Sequence, residues 1–270
     1  MNSHSRHTPV ATSHDSSRSV PPKTVDFLGL PLCVLTIKAF VDWVIASAKG
    51  HQCRTAYAIN AHSVNMAFST PEYSRALQRS DVVYCDGISV LLGSRLLRRP
   101  VPEKLTTTDC IGPIAERCEA EGLSFYILGS RPGIAKRAGA NLRRQYPNLT
   151  IRGTRSGYFT ADKERDVISD IAALKPQVLW VGLGNPMQEL WVEKHREELG
   201  VPVCLTCGGM MDIIAGKLTR PPRWVTDNGL EWAYRLTIHP RYTARRYLVG
   251  NVTFLLRLAK YWTLEQGRPA

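Results

Sequence analysis

The sequence predicts an α/β protein of the doubly wound class: a mostly parallel sheet with helices on both faces, extended by a basic C-terminal helical appendage. Three observations carry this prediction. From Val25 onward, short runs rich in β-branched residues alternate with longer amphipathic segments. The short runs are apolar nearly throughout, as strands covered on both faces are. Polar and glycine-rich clusters follow these runs, where a parallel sheet places its ligand-binding rim.

Strands are expected at 55–59, 81–85, 124–128, 149–153, 178–182 and 203–206, and helices at 134–146, 161–174 and 187–199. A chain of 270 residues with 44% apolar composition can bury one sizeable core. Residues 1–24 are rich in Ser, His, Thr and Pro without periodicity and are expected to form an unordered tail. Residues 25–216 form the expected core, and 217–270 the appendage. The net charge of +12 is concentrated in that appendage, which carries ten Lys/Arg against three Asp/Glu.

No run of 18 apolar residues exists, and the N-terminal stretch lacks the apolar segment of a signal peptide, so a non-spanning, cytoplasmic chain is expected. Seven scattered cysteines suit a reducing compartment and read as small apolar residues. Cys204 and Cys207 form a CxxC, but neither a second pair nor a His pair completes a metal site.

The clusters that could carry chemistry follow the strands. In 124–133 a strand runs into Gly129-Ser-Arg-Pro-Gly133, a turn that could admit a diphosphate to backbone amides or be an ordinary tight βα turn. The 182–189 stretch repeats this logic with Gly184, then places Gln188 and Glu189 in the first turn of a helix, where binding and structural roles are equally open. Asp86, before Gly87 at a strand end, is placed as a general base would be, although Asp-Gly is also a common turn. Asp109 reads as a helix cap or a ligand for sugar hydroxyls. Asp212 reads as a site carboxylate or as a turn carboxylate paired to an arginine.

Taken in order, Asn60, Asp86-Gly87, Thr108-Asp109, Leu128-Gly129, Gly157-Tyr-Phe159, Val181-Gly-Leu-Gly184, Pro186, Gln188-Glu189, Trp191, Gly208-Gly209, Asp212, Gly216, Arg220, Pro222, Glu231-Trp232 and Tyr234-Arg235 resemble the WecG/TagA/CpsF family of bacterial glycosyltransferases across roughly residues 25–250. The resemblance implies Asp86 as catalytic base and Asn60, Asp109, Gln188 and Asp212 as lining of a donor and acceptor cleft. It also implies that basic C-terminal residues complete the site. Ala58, Thr107, Met187 and Thr206 depart from the family pattern, in the region where the donor sugar is selected.

The expected reaction is inverting transfer from a nucleotide-sugar to a polyprenyl-diphosphate-linked acceptor. The sequence has no Asp-x-Asp, so no metal or other cofactor is expected, and the leaving diphosphate falls to arginines and helix N-termini. Arg220, Arg223, Arg235, Arg241, Arg245 and Arg246 are the candidates, since guanidinium groups bind phosphate oxygens bidentately. The cationic and aromatic run 241–262 suits a helix lying in the headgroup plane of an anionic membrane, which would place the chain at its inner face. The same run also suits a terminal helix docked through Phe254, Leu255 and Leu258. A homo-oligomer is left open. Two other classes are weighed: a nucleic-acid binder, suggested by the isoelectric point near 9.6 but lacking a reader motif, and a nicotinamide-dependent oxidoreductase, which lacks GxGxxG.

Overall fold

Period-two alternation inside apolar strands produces two separate cores on either side of one sheet. The computed structural model describes residues 21–238 and 240–266, with the side chains at 223, 242, 245 and 265 outside that description. A hairpin of β1 (Thr24–Phe27) and β2 (Leu30–Cys33) leads into α1 (Ile37–Ala48), β3 (Arg54–Ile59), α2 (Ala61–Ser69), α3 (Pro71–Arg79), β4 (Val82–Cys85) and α4 (Ile88–Leu96). Next come α5 (Thr107–Ala120), β5 (Ser124–Gly129), α6 (Ile134–Gln145), β6 (Thr150–Arg155), α7 (Glu164–Leu174), β7 (Val178–Gly182), α8 (Met187–Leu199) and β8 (Val203–Thr206). The chain ends with α9 (Met210–Ile214), α10 (Arg223–Asp227), α11 (Glu231–Ile238), α12 (Pro240–Ala244), a π-helical turn at Arg245–Val249 and α13 (Gly250–Gln266).

Strands β3 to β8 form a six-stranded sheet in the order β4-β3-β8-β7-β5-β6, and every pairing is parallel. Ala56, Tyr84, Phe125, Trp180 and Leu205 point to the face covered by α1, α5, α6 and α9. Tyr57, Val83, Tyr126, Leu179 and Cys204 point to the face covered by α2, α3, α7 and α8. The six strands expected from sequence are all present, within two residues at each end. The expected helix at 161–174 opens as a 3-10 turn at Ala161–Lys163 and becomes α-helical from Glu164.

The β1-β2 hairpin was not foreseen, and it begins at Thr24, inside the segment expected to be unordered. Its turn residues Leu28 and Gly29 both have positive φ (54° and 82°), the conformation of a two-residue I′ turn, and Asp26 accepts the Gly29 N–H at 2.7 Å. Phe27, Leu30 and Leu32 are buried, and β2 packs beside β4, the edge of the main sheet. Residues 1–20 of the expected tail lie outside the described residues.

The appendage docks on the α2 face. Phe254 and Leu258 are buried there, with Phe254 and Phe27 rings 6.4 Å apart, whereas Leu255 points to solvent. Arg257 donates to the Asn65 backbone and side-chain oxygens at 2.9 and 2.8 Å and lies over the Phe68 ring, so this cation is used in docking α13 to α2. Among the described residues, no helix is long and apolar enough to cross a membrane.

Phe254→Ala is expected to destabilise the protein by about 3 kcal/mol, the scale for removing a buried aromatic side chain. Urea denaturation followed by near-UV dichroism would measure this. A loss below about 1 kcal/mol would mean that the helix is held by its polar contacts to Asn65 instead.

Candidate active site

Because all six strands run the same way, the loops after β3, β4, β7 and β8 meet on one rim. They bound a cleft of about 480 Å³. Helix N-termini crowd this cleft: Asn60 to His62 at α2, Gly87 to Ser89 at α4, Thr106 to Thr108 at α5, and Gly184 with Asn185 and Gln188 at α8. Each helix start carries a partial positive charge and backbone N–H groups that have no acceptor within the helix, so the cleft attracts anions before any side chain is counted.

Asp86 lines this cleft at the end of β4. Its backbone N–H bonds the Ile59 carbonyl at 2.8 Å, which ties the β4 exit to β3. Asn60 caps α2 by accepting the His62 and Ser63 N–H groups on Oδ1, leaving its Nδ2 to face Asp86 Oδ2 at 3.5 Å. Burial and then the nearby Glu231 carboxylate push Asp86 up to about 6, against the opposing pull of Asn60, Arg235 and Arg246. Such a carboxylate is ionised at neutral pH yet close enough to its pKa to accept a proton in a transition state.

Positive charge enters from the appendage and from the loop before α5. Arg235, Arg246 and Lys104 line the cleft. Arg235 is paired with Glu231 through Nε at 3.0 Å and Nη2 at 2.6 Å. Burial opposes the Arg235 charge, but Glu231 outweighs it and holds the guanidinium pKa above its ordinary value. Arg246 lies 5.6 Å from the Tyr247 ring, and its buried Nε has no hydrogen-bond partner among the described residues. His62 lines the same wall, and burial together with Arg246 lowers its pKa, leaving it neutral at pH 7.

Of the residues expected from sequence, Asn60, Asp86, Gly184, Gln188, Asp212, Arg235 and Arg246 come together on the cleft wall. Asp212 accepts from Ser130 Oγ at 3.0 Å and pairs with Lys217 at 2.7 Å, so it joins the β5 exit to the loop after α9. Others stand behind the wall. Asp109 is held by Thr106 and Arg220; burial raises its pKa, but these two partners outweigh it and keep the carboxyl below its usual range. The Asp109–Arg220 ion pair therefore fastens the segment after α9 to the start of α5. Arg241 is exposed and off the cleft. The side chains of Arg223 and Arg245 lie outside the described residues.

Gly129 also stands off the cleft, and its role is steric. With φ at 152°, a Cβ there would sit 2.6 Å from the Gly182 carbonyl oxygen. A Cβ at Gly182 would in turn meet the Gly208 oxygen at 2.9 Å, so the β5, β7 and β8 exits are pressed backbone to backbone. The CxxC is divided by the sheet: Cys204 packs in the core under α8 and Cys207 in the core under α9. Burial pushes the Cys33 thiol up to about 11 and the Cys85 and Cys118 thiols to about 12, consistent with cysteines used as apolar residues.

Sequence reasoning missed Lys104, Tyr247 and Asn251 on the wall. Lys104 sits in an aperiodic loop, and the other two lie in a helical stretch whose cleft-facing side only tertiary docking defines. Glu189 is fully buried beneath the floor and does not reach the cleft. Its Oε1 accepts from Asn185 at 2.8 Å and from Gln188 at 2.7 Å, while Oε2 has no partner among the described residues.

Burial pushes Glu189 up to about 7, opposed by Gln188 and Thr206. The unfolded chain gives up this proton near the ordinary carboxylate value, so the folded protein should lose stability as pH rises from about 4.5 to 7 and change little above. Relative to Glu189→Gln, the wild type should lose on the order of 3 kcal/mol between these limits. Urea titrations of both proteins at several pH values would measure it, and parallel curves would place the ionisation outside this window.

The model of the family described as Glycosyl transferase WecG/TagA/CpsF matches residues 25–268, which takes in the sheet, the cleft and the docked appendage. With that match spanning nearly the whole chain, the chain belongs to the WecG/TagA/CpsF glycosyltransferase family.

Proposed function

We propose that this glycosyltransferase is an inverting enzyme of cell-surface polysaccharide synthesis. It takes a sugar from a nucleotide-sugar, a UDP-sugar such as UDP-N-acetylmannosamine, its uronic acid or a UDP-hexose, and passes it to a polyprenyl-diphosphate-linked acceptor. The observation that carries this reading is Asp86, the cleft-lining carboxylate whose pKa burial raises, facing a cleft ringed by four helix N-termini together with Lys104, Arg235 and Arg246. The other two cleft carboxylates are tied to cations, Asp212 to Lys217 and Glu231 to Arg235.

In this reaction Asp86 takes the proton of the acceptor hydroxyl as its oxygen attacks the anomeric carbon. The new C–O bond forms on the face opposite the breaking bond to the diphosphate, which inverts the centre. The nucleoside diphosphate departs with the bonding electrons, and Asp86 then releases its proton to solvent. Charge on the leaving group grows as the bond stretches, so fixed cations and amide dipoles stabilise the transition state more than the ground state. The Arg246 guanidinium on the cleft wall suits a phosphate oxygen of the leaving group.

The appendage supports a membrane-side location for the acceptor. Leu248, Val252, Leu255 and Leu256 recur at helical spacing along the π-helical turn and α13, on the side away from the core, and are each more than half exposed. Exposed Arg241 and Lys260 flank them. An apolar stripe edged by cations suits peripheral attachment to anionic lipid, each cation adding about 1 kcal/mol near the surface. Tyr247 and Asn251, on the same stretch of chain, line the cleft, so a lipid-linked acceptor held at that stripe would bring its hydroxyl into the cleft that Asp86 faces.

Asp86→Asn is expected to keep the fold and lower turnover by about a hundredfold or more. In the wild type kcat/KM should rise with pH through about 6, because the base must be unprotonated, and this limb should vanish in the variant. Radiolabelled donors with a polyprenyl-diphosphate acceptor provide the assay; near-normal turnover by folded Asp86→Asn would remove Asp86 from the role.

Leu255→Glu/Leu256→Glu is expected to reduce co-sedimentation with anionic vesicles at least tenfold while leaving the melting temperature within a few degrees, since both side chains already face solvent. Undiminished vesicle binding would place the lipid contact elsewhere.

A further inference from the structure

From the cleft floor downward, four side chains form one hydrogen-bonded chain that the transfer mechanism leaves unused: Asn185 and Gln188 line the cleft, and Tyr73 and Glu189 lie beneath it. Tyr73 Oη accepts from Asn185 Nδ2 at 3.2 Å, and Asn185 also donates to Glu189 Oε1. Gln188 Nε2 donates to that same oxygen. At its other end, Gln188 Oε1 accepts the Gly184 N–H at 3.2 Å and the Gly208 N–H at 3.1 Å. Gly184 begins the turn into α8 and Gly208 follows β8, so one side-chain oxygen joins the two loops that form the floor.

A primary amide presents an oxygen on one side and an N–H pair on the other, and either orientation fits the same space. Reversed, Gln188 would set its N–H groups against the two backbone N–H groups, leaving all of them without acceptors. Glu189 Oε1 removes that ambiguity: it also accepts from Asn185, so whether the carboxyl is ionised or carries its proton on Oε2, it offers an acceptor where Nε2 lies. A buried carboxylate is a poor choice for packing alone, since an apolar side chain of similar volume fills such a site without the desolvation penalty. Its presence at a fully buried position points to the orientation it imposes.

We propose that Glu189 is a positioning residue for sugar transfer, acting through Gln188: by fixing the amide orientation it clamps the Gly184 and Gly208 amides together and sets the width of the cleft floor. This rests on the reading of the cleft as the transfer site. Gln188 touches the cleft and Glu189 does not, so its influence on rate passes through geometry alone.

The test compares Glu189→Leu, which keeps volume and removes the acceptor, with Glu189→Gln, whose Oε1 can still accept from Asn185 and Gln188. Two readouts are taken on the full chain: kcat/KM for transfer, and hydrogen exchange of the Gly184 and Gly208 amides by NMR in the ligand-free protein. The leucine variant should lose about a hundredfold in kcat/KM, the scale for misplacing groups by an ångström. Both amides should exchange at least tenfold faster. The glutamine variant should recover activity to within about tenfold, having lost charge assistance but not the bonds, with both amides still protected. Should Glu189→Leu not fold, Glu189→Met carries the same comparison. Equal activity in the leucine and glutamine variants, or unchanged amide protection in the folded leucine variant, would overturn the proposal. If the wild type transferred no sugar from any nucleotide-sugar offered, the proposed function would fail while amide exchange still decided whether the clamp exists.

Discussion

The cleft of this molecule follows from six strands pointing in one direction. Parallel order delivers the exits of β3, β4, β7 and β8 to a single rim, and the α2, α4 and α8 N-termini follow three of those exits, with α5 turning its own toward the same place. The resulting field does not depend on flexible side chains, because backbone amides carry it. The glycines at 129, 182 and 208 let neighbouring exits touch backbone to backbone. A side chain at Gly129 or Gly182 would spread the rim and loosen the cleft.

Two carboxyls are raised by the same cause and stand in different places. Asp86 is desolvated on the wall of an open cleft, within reach of Asn60 and near Arg235 and Arg246. Glu189 is sealed under the floor, where amide side chains and the Thr206 hydroxyl, and no cation among the described residues, oppose its burial. Position relative to the cleft, and not the size of the shift, separates a carboxyl open to whatever the cleft holds from one in contact only with its protein neighbours.

The appendage serves structure and site together. Phe254, Leu258 and Arg257 fasten α13 to α2 and the hairpin, which holds the π-helical turn where Arg246 and Tyr247 reach the cleft. The docked-helix and membrane-surface readings of this segment are compatible because they use different sides of one helical stretch. Phe254 and Leu258 face inward, whereas Leu248, Val252, Leu255 and Leu256 face solvent.

Local sequence determined the strands, the long helices and the positions of Asn60, Asp86, Gly184 and Asp212, since apolar runs and turn residues report on backbone geometry within a few residues. It did not determine the β1-β2 hairpin, whose strands of four residues are too short for periodicity to reveal and whose burial depends on β4. Tertiary structure alone decided that Glu189 lies under the floor while adjacent Gln188 reaches it, that Asp109 is bound to Arg220, and that Lys104 joins the cleft. Each of these outcomes rests on contacts between residues far apart in the chain, and a side chain's role as ligand, base or brace is set by which distant partner reaches it first.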